Sequence, residues 1–155
     1  MSTSDAKIIL TDMQRHEQAV LGAHRLLIIA EAPAAAAAMV GKPLVEQTLT
    51  VDGAYTCLID TAGLASALKV LVLPQLTTAT LSSAGPDGLS VETNPRADTI
   101  ADAVVITSGS GDGALADDTQ QTATLTLSGE RWARYTLTVA SAGSVTFDVA
   151  EYLGL

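Results

Sequence analysis

The chain has 155 residues, 48% of them hydrophobic but only 3% aromatic, and a formal net charge of −9. That length is enough to bury one hydrophobic core without a metal or disulfide staple, and with so few rings the core must be filled by Val, Leu, Ile and Ala. So acidic a chain is repelled by nucleic acid and by anionic lipid, which excludes both as expected partners, and Cys57, the single cysteine, excludes an intramolecular disulfide.

Residues 1–41 read as an N-terminal arm, a short helix and an Ala-rich linker, ahead of a β-domain over 42–155. Ala6 to Leu10 is a short apolar run suited to an arm that orders on a partner. Thr11-Asp12-Met13-Gln14 has the form of a capping box, and Met13, Val20, Leu21 and His24 follow roughly helical spacing, which predicts a helix from about Asp12 to Ala23. Arg25 to Ala30 reads as a buried strand. The apolar stretch Leu26 to Val40 contains Glu31 and Pro33 and falls short of the ~18 to 20 clean residues a membrane span requires. It also starts too late for a signal peptide, so a soluble chain is expected. Propensity favours a helical turn over Ala34–Ala38.

From Lys42 onward the pattern is β. Leu44 to Val51 alternates, with Val45, Gln47, Leu49 and Val51 on one side, and Asp52-Gly53 is a tight-turn dipeptide leading into a second strand, Ala54 to Asp60. Leu64 to Leu73 reads as either a short helix or a strand buried on both faces, and its β-branched VLVL end, stopped by Pro74, favours the strand. Thr77 to Ser82 and Leu89 to Thr93 flank a Gly85-Pro86-Asp87-Gly88 turn, Ala103 to Thr107 is a further short strand, and residues 108–119 form an acidic loop. The last part alternates most cleanly. Ala123, Leu125 and Leu127 face inward. After Ser128-Gly129, Arg131, Ala133, Tyr135, Leu137 and Val139 share one side, with Trp132, Arg134, Thr136 and Thr138 opposite. After Ser141-Ala142-Gly143, the residues Val145, Phe147 and Val149 face inward. Short strands at this spacing predict a mainly β fold, an antiparallel β-sandwich or small barrel.

Sites of known chemistry are incomplete. CLIDTAG (Cys57 to Gly63) resembles the DxxG element of GTP-binding proteins, but Gly41-Lys42 is followed by Pro43, so no phosphate-cradling loop accompanies it. Asp60-Thr61 lacks the glycine that an aspartic protease needs, because Ala62 stands there. His16-Glu17 begins like a zinc-protease helix, with Val20 where the second histidine belongs. Asp112, Asp117 and Asp118 form a carboxylate group without EF-hand spacing. They belong to an acidic region in which Asp87, Glu92, Asp98, Asp102, Asp112, Asp117 and Asp118 face a single base, Arg96. Cys57, in YTCLID, reads as a small buried hydrophobe suited to a reducing cytosol. No catalytic residue, cofactor or metal is expected. A surface formed by Arg131, Trp132 and Arg134 is the candidate for protein binding, because Trp and Arg are favoured at hot spots. The apolar arm residues Lys7, Ile8, Ile9 and Leu10 are the second candidate.

The Ala/Thr/Gly-rich acidic composition, the arm and helix, the β body and the terminal run GERWARYTLTVASAGSVTFDVAEY, read as a hairpin, together resemble small structural proteins of tailed-bacteriophage virions. Within that group the chain is most similar to capsid decoration (cement) proteins. The resemblance implies a non-enzymatic homo-oligomer, a trimer by preference, that binds the major capsid protein on the outside of the head lattice. It also implies assembly in the host bacterial cytoplasm and residence in the virion. A tail or head-completion component, or a glycan-binding β-sandwich module, is the alternative.

Overall fold

Period-two alternation builds two antiparallel sheets that share one apolar core. The structure is a computed structural model and describes residues 24–61, 67–89, 105–108, 111–130 and 132–154. The expected arm and helix, with Lys7, Ile8, Ile9, Leu10 and also Arg131, lie outside the described residues. The strands are β1 (His24–Leu26), β2 (Ile29–Glu31), β3 (Thr48–Leu49), β4 (Gly53–Asp60), β5 (Ala67–Thr77), β6 (Thr80–Leu89), β7 (Val105–Ser108), β8 (Gly113–Leu115), β9 (Gln121–Thr126), β10 (Trp132–Ala140) and β11 (Ser144–Gly154). The first sheet runs β1-β11-β5-β9, with β3 also on β11, and the second runs β2-β4-β10-β6-β7, with β8 also on β6.

The inward residues of both sheets meet in one cluster that includes Leu68, Val70, Val72, Leu125, Leu137, Val145 and Phe147, together with the tyrosines Tyr55 and Tyr135. Tyr55 is admitted because its hydroxyl donates to the Val51 carbonyl at 2.7 Å, which removes the cost of an unpaired buried polar group.

Nearly every connection crosses between the sheets. The chain passes from one sheet to the other after β3, after β5 and after β10. Because β3, β11 and β5 are neighbours in one sheet and β4, β10 and β6 are neighbours in the other, these corners lie side by side at one end. Val139 pairs with Gly53, Ala140 with Thr80, Ser144 with Thr77 and Val145 with Leu49. The corners touch directly. Thr78 bridges Ser144, and the Ala142 N–H donates to the Asp52 carboxylate at 3.2 and 3.3 Å. A Cβ at Gly143 would overlap both the Ala79 nitrogen and the Thr77 carbonyl oxygen, so only glycine permits this approach. Its neighbours Ser141 and Ala142 hold positive φ, at 72° and 50°.

The long sides are closed by chain passing across them. On one side, residues 24–31 leave β11 and join β4. The Leu27 N–H donates to the Ala150 carbonyl at 2.9 Å, the Ile29 N–H to that of Lys42 at 3.0 Å and the Leu44 N–H to that of Leu27 at 2.8 Å, while Ile29 pairs with Cys57. The described part of the segment 1–41 therefore contributes a strand to each sheet. On the other side, Gly111 and Asp112 pass between β6 and β9. Ser83 Oγ donates to the Gly111 carbonyl, the Gly85 N–H donates to Asp112 Oδ1 at 2.6 Å, and Gly111 lies against Ala123 too closely for any Cβ.

The sandwich class is as expected, and so are β7, the inward set Ala123, Leu125 and Leu127, and the inward set Ala133, Tyr135, Leu137 and Val139. Several local readings are corrected. Residues 25–30 are not one buried strand: Leu27 and Ile29 are buried, but Leu26 and Ile28 are 44% and 39% exposed, because the segment changes sheets midway. Leu44 to Val51 is a 3-10 turn, Leu44–Glu46, followed by the two-residue β3. Lys42 and Leu44 spend their backbone groups on Ile29 and Leu27 rather than on a strand partner. Asp52-Gly53 makes no hairpin, since β3 and β4 belong to different sheets, and the terminal run is a corner between β10 and β11 for the same reason. The Ala-rich run does form a 3-10 helix, Ala34–Met39, with Ala36 buried.

Both misplaced stops are prolines. Pro74 lies inside β5, and Gly85-Pro86-Asp87-Gly88 lies inside β6 with a cis Gly85–Pro86 bond. Each proline sits at a bulge, where a missing ladder N–H is tolerated. Pro74 pairs with Phe147 beside the extra residue Asp148, and Gly85-Pro86 opposes Tyr135 alone. The first bulge also corrects the inward set on β11: beyond Asp148 the buried residue is Ala150, and Val149 is half-exposed.

Adjacent substitutions in one corner should have opposite signs. Gly143→Ala is expected to destabilise by about 3 kcal/mol, lowering Tm by about 9 °C for a chain of this size. Ala142→Gly relieves a left-handed non-glycine residue and is expected to raise stability by up to about 1 kcal/mol. Urea titration of both variants checks this, and a neutral Gly143→Ala would show that the corners have room to separate.

Candidate functional site

β10 is the central strand of the second sheet, paired along its length to β4 and β6. Its alternation sends Ala133, Tyr135, Leu137 and Val139 into the core and turns Trp132, Arg134, Thr136 and Thr138 to the outer face. Cross-strand partners share a face, so the rest of that surface follows from register. Trp132 lies between Asp60 and Leu89, Arg134 between Leu58 and Asp87, Thr136 between Thr56 and Ala84, and Thr138 between Ala54 and Ser82. One end of the face thus carries an aromatic ring, two leucines and an ion pair. The remainder is a run of small side chains, with Glu31 of β2 beside Thr56 at its edge.

The two described candidates are brought together. Trp132 and Arg134 are successive outward residues, about 7 Å apart along the strand, and both are half-buried. Arg134 does not simply lie over the indole: its Nη2 is 3.8 Å from Asp87 Oδ2, with the two side chains 23% and 15% exposed. The pair carries modest energy at that distance, and it holds the guanidinium toward Asp87 on β6. Leu89 is fully buried and lies outside the core cluster.

Leu58 and Asp87 are members of this surface that sequence reasoning missed, and Leu89 is the buried residue paired with Trp132 beneath it. The alternation of YTCLID, with Tyr55, Cys57 and Ile59 inward, already turned Leu58 outward with Thr56. For Asp87 and Leu89 the signal was hidden by reading Gly85-Pro86 as a turn.

Behind this face lie titratable groups held neutral. Cys57 is fully buried, and burial pushes its thiol from 9.0 up to about 12. Tyr135 is pushed from 10.0 up to about 12, chiefly by burial, with a hydrogen bond to Ser83 acting the other way. A thiol in that state is no nucleophile at neutral pH.

The side chains of Asp112, Asp117 and Asp118 serve as hydrogen-bond acceptors. Asp117 Oδ1 accepts from the Leu76 N–H at 2.8 Å, and Asp118 Oδ1 and Asp148 Oδ2 accept from Gln75 Nε2 at 2.8 and 3.0 Å. With the Asp118 N–H bound to the Pro74 carbonyl at 2.8 Å, they fasten the turn before β9 onto the proline bulge of β5. Asp112 holds Gly85 in the same way. Glu130, which is buried, accepts from the Ser128 N–H, and its carbonyl accepts from Thr61 Oγ1. Among the described residues no group of His, Cys, Asp and Glu is arranged to hold a metal ion, and no helix is long and apolar enough to cross a membrane.

No family model matches the chain, and no curated protein matches it. Among solved structures, the enzymatically active domain of bacteriophage CBA120 tailspike protein 4 is similar over 68% of this chain, at 19% identity and a TM-score of 0.45. The similar region is 15% of that chain's length.

The raised thiol and phenol give a signed pH dependence. Both groups favour the folded state while neutral, so their contribution is complete below the unfolded values of 9.0 and 10.0 and is lost as pH rises through about 12. Denaturant stability is expected to be level up to about pH 9 and to fall from there, with Cys57→Ala moving the onset up toward pH 10. Alkylation of Cys57 at pH 8 should follow the rate of unfolding; labelling faster than that would mean the thiol is reachable in the native state.

Proposed function

We propose that this protein is a non-enzymatic structural protein of a tailed-bacteriophage virion, binding the outside of the capsid lattice and stabilising it as a decoration protein. The observation that carries the reading is the outer face of the second sheet. There Trp132, Leu58 and the Arg134–Asp87 pair form an anchor at one end of a flat run of Thr, Ser and Ala. An aromatic ring beside a positioned guanidinium is the composition of a protein-binding hot spot, and small uncharged neighbours let a partner surface approach closely. Asp112, Asp117 and Asp118 are committed to fastening turns and bulges, and the thiol is shut in the core, a use of polar groups that suits a rigid binding subunit. The major capsid protein is the partner in this reading, and the subunit acts as a homo-oligomer, a trimer by preference. Many copies on a lattice then turn weak single contacts into stable attachment.

Density-gradient sedimentation of the native source, with copy number measured against the major shell protein, tests the reading. Near-equal copies in the particle fraction are expected. A handful of copies per particle would indicate a tail or head-completion part, and recovery only in light fractions would remove the virion role.

Trp132→Ala is expected to weaken rebinding to stripped particles at least about tenfold while leaving the fold cooperative. Removal of residues 1–10 is expected to weaken it further. Full rebinding by Trp132→Ala would exclude this face as the contact.

A further inference from the structure

The flank closed by residues 24–31 and 40–46 is apolar on its outer side as well as its inner side. Among the described residues the exposed large hydrophobic side chains are Leu26, Ile28 and Val40, at 44%, 39% and 47%, and all three lie on this flank. A segment that closes a sandwich toward water needs one apolar side, and the fully buried Leu27, Ile29 and Leu44 supply it. Ile28, between two inward residues, turns outward and bridges Pro43. Val40 caps the Ala-rich turn, immediately before Gly41, whose N–H donates to the Ile29 carbonyl at 2.7 Å. Exposed apolar side chains gathered on one side of a molecule mark a surface that something covers.

Charge selects what covers it. The whole chain carries a formal net charge of −9, but residues 24–47 hold two bases, Arg25 and Lys42, and two acids, Glu31 and Glu46, a sum of zero. Two copies therefore meet here without the repulsion that the rest of their surface imposes, whereas a strongly acidic or basic partner gains nothing. The charges are also ordered across the flank. The Lys42 carbonyl accepts from the Ile29 N–H on the side of the second sheet, and Glu46 ends the turn that leads into β3 of the first. Both residues are exposed, with Pro43 to Val45 between them. In a symmetric assembly residue i of one copy meets residue j of the next, so a patch with a base at one side and an acid at the other is complementary to itself.

We propose that a second copy of this chain docks on this flank through its own, burying Leu26, Ile28 and Val40 of both and setting Lys42 of one against Glu46 of the other. The exposed alanines of the 3-10 turn carry only methyl groups, which lets the two backbones approach. Such a contact gives the homo-oligomer of the proposed function its surface, and it rests on that part of the reading alone. It lies on the side of the sandwich, so the outer face of the second sheet, with Trp132 and Arg134, stays clear for a different partner.

Sedimentation equilibrium of the isolated full chain at micromolar concentration is expected to give a dimer or a trimer, and a monomer throughout would overturn the proposal. Ile28→Glu and Val40→Glu are each expected to weaken association at least about tenfold while keeping the far-UV circular dichroism of the parent. An oligomer that both variants leave intact would put the contact elsewhere and also overturn it. Lys42→Glu and Glu46→Lys are each expected to weaken association about fivefold, and the double variant to recover it, because the reversed charges still meet between copies. These exposed positions decide alone if Ile28→Glu does not fold: singles that associate like the parent, or a double variant no better than the singles, would overturn the contact. Particle sedimentation reads the virion role separately, so a monomer that still travels with the capsid would sink this interface and leave that role standing.

Discussion

The fold depends on the close approach of neighbouring corners at one end of the sandwich. Three crossings between the sheets lie side by side there, and Gly143 lets the β10–β11 corner press against the backbone of Thr77 and Ala79. The contact fixes both sheets at once, because each corner belongs to one strand of each. A displaced corner would carry β5 away from β11 and β6 away from β10. Left-handed residues at Thr78, Ser141 and Ala142 are the local cost of turning so tightly, and the ladders on either side offset it.

Sealing the flanks follows from the same path. A sandwich leaves two open sides, and here the chain closes both while changing sheets. Leu27 to Ile29 bridges β11 and β4, and Gly111 with Asp112 bridges β6 and β9. The polar residues that look most like chemistry in the sequence hold these crossings. Asp52, Asp112, Asp117 and Asp118 each accept a hydrogen bond from a corner, a bulge or an edge. What is left for recognition is a sheet face, with Trp132 and Arg134 displayed at one end of a strand paired on both sides.

Facing was legible in the sequence, and partnership was not. Alternation alone turned Ala133, Tyr135, Leu137 and Val139 inward and Trp132 and Arg134 outward, because side-chain direction is a property of one strand. Pairing is a property of two, and short Gly-containing connections such as Asp52-Gly53 and Ser141-Ala142-Gly143 look alike whether the next strand returns beside the last or crosses above it. Pro74 and Pro86 misled for a related reason. A proline stops a strand unless a bulge on the ladder absorbs it, and the bulges arise at Asp148 and opposite Tyr135, far off in sequence. Trp132 and Arg134 could be nominated as a pair, but Asp87 and Leu89 join them only through those long-range registers.

The alternation of strands between sheets also governs how the molecule is made. β11 pairs with β1, β3 and β5, all earlier in the chain, and β10 pairs with β4 and β6. During translation, then, neither sheet has its central strand until the segment from Trp132 to Gly154 has left the ribosome. Before that, β4 has only β2 to pair with, β5 only β9, and β6 only β7 and β8, and each lacks its long central neighbour. Such non-local pairing makes for slow closure, so the interval before β11 emerges is when the polypeptide most needs a chaperone, and a ribosome that stalls within those last residues releases a chain with neither sheet complete.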